Sequence, residues 1–70
     1  MDILKKLMNQ LYSYQEQFHN YHDRRTFLSQ AYGAVTLYMM EHPENEAEAI
    51  ALWDEWKPRF EARMLEVHFQ

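Results

Sequence analysis

The sequence predicts an all-α fold, a small antiparallel three-helix bundle, and three observations predict it. One glycine and two prolines are all that interrupt 70 residues of which 47% are hydrophobic, so the chain carries apolar material for a core and few helix breakers. Apolar residues recur at helical spacing in three successive stretches. The turns between those stretches are short and polar, and short connections make antiparallel neighbours.

The first stretch is two-sided. At 100° steps, Ile3, Leu4, Leu7, Met8, Leu11, Tyr14, Phe18 and Tyr21 share one face, and Lys5, Lys6, Asn9, Gln10, Ser13, Glu16, Gln17 and Asn20 share the other. Gln15 is the main polar intrusion into the apolar arc. Asp2 suits the start, where an acidic side chain accepts backbone N–H groups and complements the helix dipole.

Asp23 or Thr26 is the expected cap of the second helix, which runs to about Glu41 because Pro43 turns His42 away from helical angles. From Phe27 to Met40 this helix is apolar almost all the way round, and it is expected to be the most buried element. Phe27, Leu28, Ala31, Tyr32, Val35, Tyr38 and Met39 occupy one broad arc. Ser29, Gly33, Thr36, Leu37 and Met40 occupy the opposite one. About 14 residues at 1.5 Å each are too few to span a membrane, so both faces want protein cover. Gly33 in mid-helix costs on the order of 1 kcal/mol relative to alanine, a cost often offset by the close approach of another backbone.

The third stretch opens on Asn45-Glu46-Ala47-Glu48, a capping residue followed three positions later by glutamate. Ala49, Ile50, Leu52, Trp53, Trp56, Phe60, Met64 and Val67 then share one face, and the stripe keeps its phase through Pro58. One helix kinked at Pro58 is the expectation, with two helices split at Lys57 as the alternative. Residues 1–64 are thus read as a single three-helix domain. The last six residues, Leu65-Glu66-Val67-His68-Phe69-Gln70, resemble the recognition sequence of the rhinoviral cysteine proteases, apart from His68 where leucine is expected. Positions 65–70 are therefore either an extension of the third helix or a remnant of tag removal, and no functional argument uses them.

A domain this short hides only about 60% of the surface its unfolded chain exposes, and such domains usually recruit disulfides, metals or partner chains. With no cysteine in the sequence, disulfides and Cys-type zinc sites are excluded, and association leads. The formal net charge is −4 and is unevenly spread. Lys5, Lys6, Arg24 and Arg25 outnumber Asp2, Glu16 and Asp23 in the first part, whereas Lys57, Arg59 and Arg63 face eight acidic residues in the remainder. That balance argues against nucleic-acid binding, which needs clustered positive charge. The N-terminal residues carry charges among their apolar positions, so neither a signal peptide nor a membrane span is expected there, and the protein is expected to be cytoplasmic.

Few residues suggest chemistry. Glu16-x-x-His19, with His22 and Asp23, has one half of a carboxylate-bridged di-iron spacing, but Glu16 projects to the polar face and a polar helix end is the expectation. Trp53, Trp56 and Phe60 beside Lys57, Arg59 and Arg63 could stack bases, yet all three rings lie on the core stripe. The arginines are expected to pair with Glu55, Glu61 or Glu66. Arg24 and Arg25 are read as a solvated turn, and the five tyrosines as core and interface. Without cysteine, a nucleophile turn or a glycine-rich phosphate loop, the chain is not expected to be an enzyme, and no cofactor is implied.

The expected function is a non-enzymatic interaction module, a symmetric dimer formed through Ser29, Gly33, Thr36, Leu37 and Met40. The alternative is an acidic regulator or inhibitor whose Glu41, Glu44, Glu46 and Glu48 dock on a basic surface of a nucleic-acid-handling enzyme. Strong salt dependence of capture would mark the second reading, because exposed charge contacts weaken with ionic strength.

Overall fold

A computed structural model describes residues 2–68, with side chains described for residues 2–66. Three α-helices make up nearly all of it: α1, Asp2–Glu16; α2, Tyr21–Glu41; and α3, Glu46–His68. A short 3-10 turn, Pro43–Asn45, joins α2 to α3. The helices run up, down and up in a bundle measuring 42 × 16 × 15 Å. Helix α2 packs on both neighbours, which touch each other less, so it is the central element.

Each boundary has a local cause. Helix α1 ends when Gln17 N–H and Phe18 N–H turn to the Tyr14 and Gln15 carbonyls, tightening the last turn to i→i+3 bonds. This leaves Phe18 outside the helix, and Tyr21 opens the next one, so the first helix is shorter than its apolar pattern. Asn20, rather than Asp23 or Thr26, caps α2. Its Oδ1 accepts from Asp23 N–H at 2.8 Å while its Nδ2 donates to Asp23 Oδ2 at 2.7 Å. That reciprocal pair satisfies the cap and fixes the acidic side chain in the first turn at once. The Thr26 hydroxyl instead donates back to the His22 carbonyl.

At the other end α2 stops at Glu41, as Pro43 requires. His42 leaves helical angles and its N–H donates to the Tyr38 carbonyl. Asn45 spends its side-chain amide N–H on the Tyr38 hydroxyl at 3.1 Å, tying the turn to α2. Helix α3 then passes through Pro58 without a break. The proline sits on an exposed position, where its ring, which lacks an N–H to donate, is clear of the core. The helix continues to His68, so residues 65–68 extend α3. The Val67 side chain, Phe69 and Gln70 lie outside what is described.

The core is Leu4 and Met8 from α1, Ala31 and Val35 from α2, and Ala49, Leu52, Trp56 and Phe60 from α3. Tyr12 meets Trp56 and Phe60 edge-on at centroid distances of 5.5 and 5.4 Å. Edge-to-face contacts of this kind add about 0.5–1.5 kcal/mol beyond area burial. Helix α3, not α2, contributes most of the fully buried apolar side chains. The reason is geometric: with α1 and α3 on its two flanks, α2 turns its back to solvent. The expected α1 face is also rotated. Ile3, Leu7, Tyr14 and Phe18 are exposed, whereas Leu4, Met8 and Gln15 are buried and Leu11 and Tyr12 half-buried. On α3, Ile50 is likewise exposed.

Gly33 lies on the open back of α2, and a Cβ placed there would meet nothing within 4 Å. No backbone of the same chain approaches it. Replacement of Gly33 with alanine should therefore raise the stability of the isolated chain by about 0.5–1 kcal/mol, the helix-propensity difference with no steric penalty. Urea denaturation at low micromolar concentration checks this, and a loss of stability would contradict the open geometry.

Candidate functional site

Two features could carry function: a buried polar brace, and the exposed surfaces on and beside α2. The brace forms where the α1–α2 turn meets the C-terminal half of α3. Gln15 is fully buried, and its Nε2 donates to the Arg24 carbonyl at 2.9 Å and to the Phe60 carbonyl at 3.3 Å. Arg24 is also buried, its Nε donating to the Phe18 carbonyl and its Nη1 to the Arg63 carbonyl at 2.9 Å. Arg63 lays its guanidinium 3.7 Å from the Tyr12 ring centroid and donates to the Tyr12 carbonyl at 2.9 Å.

This overturns the reading of Arg24 as part of a solvated turn and of Arg63 as a partner for carboxylates. The physical reason is that α1 has no basic residue in its last turn, so the carbonyls ending it carry partial negative charge without a cation of their own. Arg63 supplies one at the Tyr12 carbonyl, and the Arg24 guanidinium fork bridges the Phe18 carbonyl of the α1–α2 turn and the Arg63 carbonyl of α3. Arg59 behaves as expected, pairing with Glu55 at 3.1 Å, and it also lies 4.5 Å over the Trp56 ring. The hydrogen bonds of the brace all end on backbone carbonyls of the chain itself, and the buried Gln15 Oε1 has no hydrogen-bond partner among the described residues.

The surfaces are different in kind. On the back of α2, Leu37 is 62% and Met40 74% exposed, with Ser29 exposed and Gly33 and Thr36 half-buried. All five candidate interface residues are thus reachable from solvent. The apolar surface continues onto α1, which the periodicity had assigned to the core. Ile3, Leu4 and Leu7 join Ala34, Leu37 and Tyr38 in lining a groove of about 380 Å³, rimmed by Glu41 and His42. Ile3, at 73% exposed, is as open as Met40. Isolated exposed leucines are ordinary; here apolar side chains of two helices line one groove.

A second groove, of about 310 Å³, runs between α2 and α3, lined by Arg25, Leu28, Ser29, Tyr32, Trp53 and Lys57. Tyr32 and Trp53 meet edge-on at 5.6 Å. Of the three aromatic residues weighed as a stacking surface, Trp56 and Phe60 are core and Trp53 alone reaches this groove. Glu41, Glu44, Glu46 and Glu48 are all exposed around the α2–α3 turn, with Glu44 Oε1 3.4 Å from His42 Nδ1. Glu16, His19, His22 and Asp23 do not form a metal cluster. Among the described residues no three His, Asp or Glu side chains gather where they could hold an ion.

Neither the family models, the curated proteins nor the solved structures contain a match to this chain. Among the described residues no helix is long and apolar enough to cross a membrane.

Proposed function

We propose that this protein is a non-enzymatic interaction module, acting in the cytoplasm, that self-associates through the back of α2. The observation that carries the reading is the exposure of Leu37 beside Ile3 and Leu7, together with that of Met40 on the same helix, in so small a bundle. Covering a leucine-sized side chain is worth about 1.5–3 kcal/mol, and a second chain supplies that cover for several side chains together. Marginal core size favours the same outcome, since association adds to stability by mass action.

Leu37→Lys combined with Met40→Lys tests it. Both side chains are mostly solvated in the single chain, so fold stability should change by no more than about 0.5 kcal/mol. The dimer dissociation constant should rise at least tenfold, which corresponds to about 1.4 kcal/mol of lost association energy. Sedimentation equilibrium reads this directly. A wild-type chain that stays monomeric at high micromolar concentration, or a double variant that associates as well as wild type, would refute the proposal.

A further inference from the structure

We infer that the second copy lies antiparallel across α2, related by a two-fold axis near Gly33, with Glu46 of each chain set against Arg25 and Lys57 of the other. The inference rests on the self-association reading and adds the orientation and the charged contacts.

Charge gives the first argument. The α2–α3 groove holds Arg25 and Lys57 and no acidic residue in its lining, in a chain of net charge −4. Neither cation is in an ion pair among the described residues, where the pairs are His42–Glu44 and Arg59–Glu55. Two unneutralised cations flanking an exposed Tyr32 and a half-exposed Trp53 suit an acidic surface. The same chain carries one. Glu41 lines the α1–α2 groove and Glu48 the groove beside Lys5, and Glu44 turns to His42 on the rim of the α1–α2 groove, whereas the exposed Glu46 opens α3.

Symmetry then decides which orientation joins the two. A two-fold axis perpendicular to α2 reverses the helix direction but keeps the α3 side of one chain next to the α3 side of the other. Arg25 lies eight residues before Gly33, roughly 12 Å along the helix at 1.5 Å per residue, and the turn begins just past Glu41, eight residues after it. Reversal therefore brings the turn of one chain level with the cationic groove of its partner. A parallel pair would instead place turn beside turn, and like charges would repel.

Side-chain size gives the second argument. Along the open back of α2 the small residues Thr26, Ser29 and Gly33 are followed by the larger Leu37 and Met40. Antiparallel pairing about Gly33 sets Ser29 against Leu37 and Thr26 against Met40, large against small along the whole contact. Parallel pairing sets large against large at one end and leaves a gap at the other, and gaps forfeit packing contacts.

Because the sequence has no cysteine, single cysteines report the orientation cleanly. Mixed T26C and M40C chains, oxidised together, should form the mixed disulfide, with each variant alone forming little. Separately, R25E/K57E and E46K should each weaken dimerisation at least tenfold by sedimentation, and an equimolar mixture should regain wild-type affinity as a heterodimer. All of these positions are exposed, and circular dichroism should show every variant folded. Cross-linking of M40C to itself, or charge reversals without effect on a wild type that does dimerise, would overturn the orientation and leave self-association standing. A monomeric wild type would overturn the self-association reading itself, and the orientation with it.

Discussion

Replacing Phe60 with alanine is expected to destabilise the domain by about 3–5 kcal/mol, enough to leave most of the isolated chain unfolded. Phe60 has no exposed surface and is the largest of the fully buried side chains. Its ring packs edge-on against Tyr12 and lies 6.2 Å from the Trp56 centroid, so it joins α1 to α3 where those two helices otherwise touch little. Truncation removes the apolar transfer energy and leaves a cavity that rigid aromatic neighbours cannot collapse to fill. Stabilities of small domains amount to roughly 0.05–0.15 kcal/mol per residue, so the loss is comparable with the whole. Phe60→Leu keeps most of the volume and should cost only about 1–2 kcal/mol, which provides a folded variant for comparison. Far-ultraviolet circular dichroism with urea titration distinguishes the outcomes. A cooperative transition for Phe60→Ala within about 1 kcal/mol of wild type would mean that the aromatic contact between α1 and α3 is dispensable.

Arg24→Ala should cost about 2–4 kcal/mol, a result that reading Arg24 as a surface residue would not anticipate. Two carbonyls, those of Phe18 and Arg63, lose a charged donor, and a charge-assisted hydrogen bond contributes about 1.5–3 kcal/mol. The loss would lower the melting temperature by roughly 10 °C or more, since 1 kcal/mol corresponds to about 4–8 °C in a domain of this size. Arg24→Lys keeps the charge but not the fork, and one ammonium cannot hold both carbonyls in the same geometry. It should fall between wild type and Arg24→Ala. The neighbouring Arg25→Ala serves as control: exposed and lining a solvent-open groove, it should change stability by less than about 0.5 kcal/mol. Equal effects at Arg24 and Arg25 would mean that the brace does not hold the helix ends together.

Much of the fold is legible in the residues. Pro43 ends α2, the stripe from Ala49 to Met64 runs through Pro58 in one helix, and Leu4, Met8, Ala31, Val35, Trp56 and Phe60 are core as their spacing predicts. The site is legible only in part. The reading of α2 as apolar on two sides picked out Leu37 and Met40 as open residues, but it missed Ile3 and Leu7, which had been placed in the core. The α1 pattern spans a wide arc, and an arc wider than the contact must leave one edge outside. Helical periodicity does not say which edge. Tyr12 and Gln15 give the signal in retrospect: a ring that packs against Trp56, Phe60 and Arg63 and an amide N–H that reaches carbonyls of α2 and α3 lie on the edge that turned inward.

By itself, then, the sequence determined three helices, their order and approximate ends, and a central helix with more apolar surface than two neighbours can cover. Those properties follow from local geometry, from 3.6 residues per turn and the angles that proline forbids. Only the tertiary structure decided that Gln15 and Arg24 are inside and that Ile3 and Leu7 are outside. The partners of Gln15 and Arg24 are carbonyls of the α1–α2 turn and of other helices, and those acceptors stand next to one another only after the helices have packed.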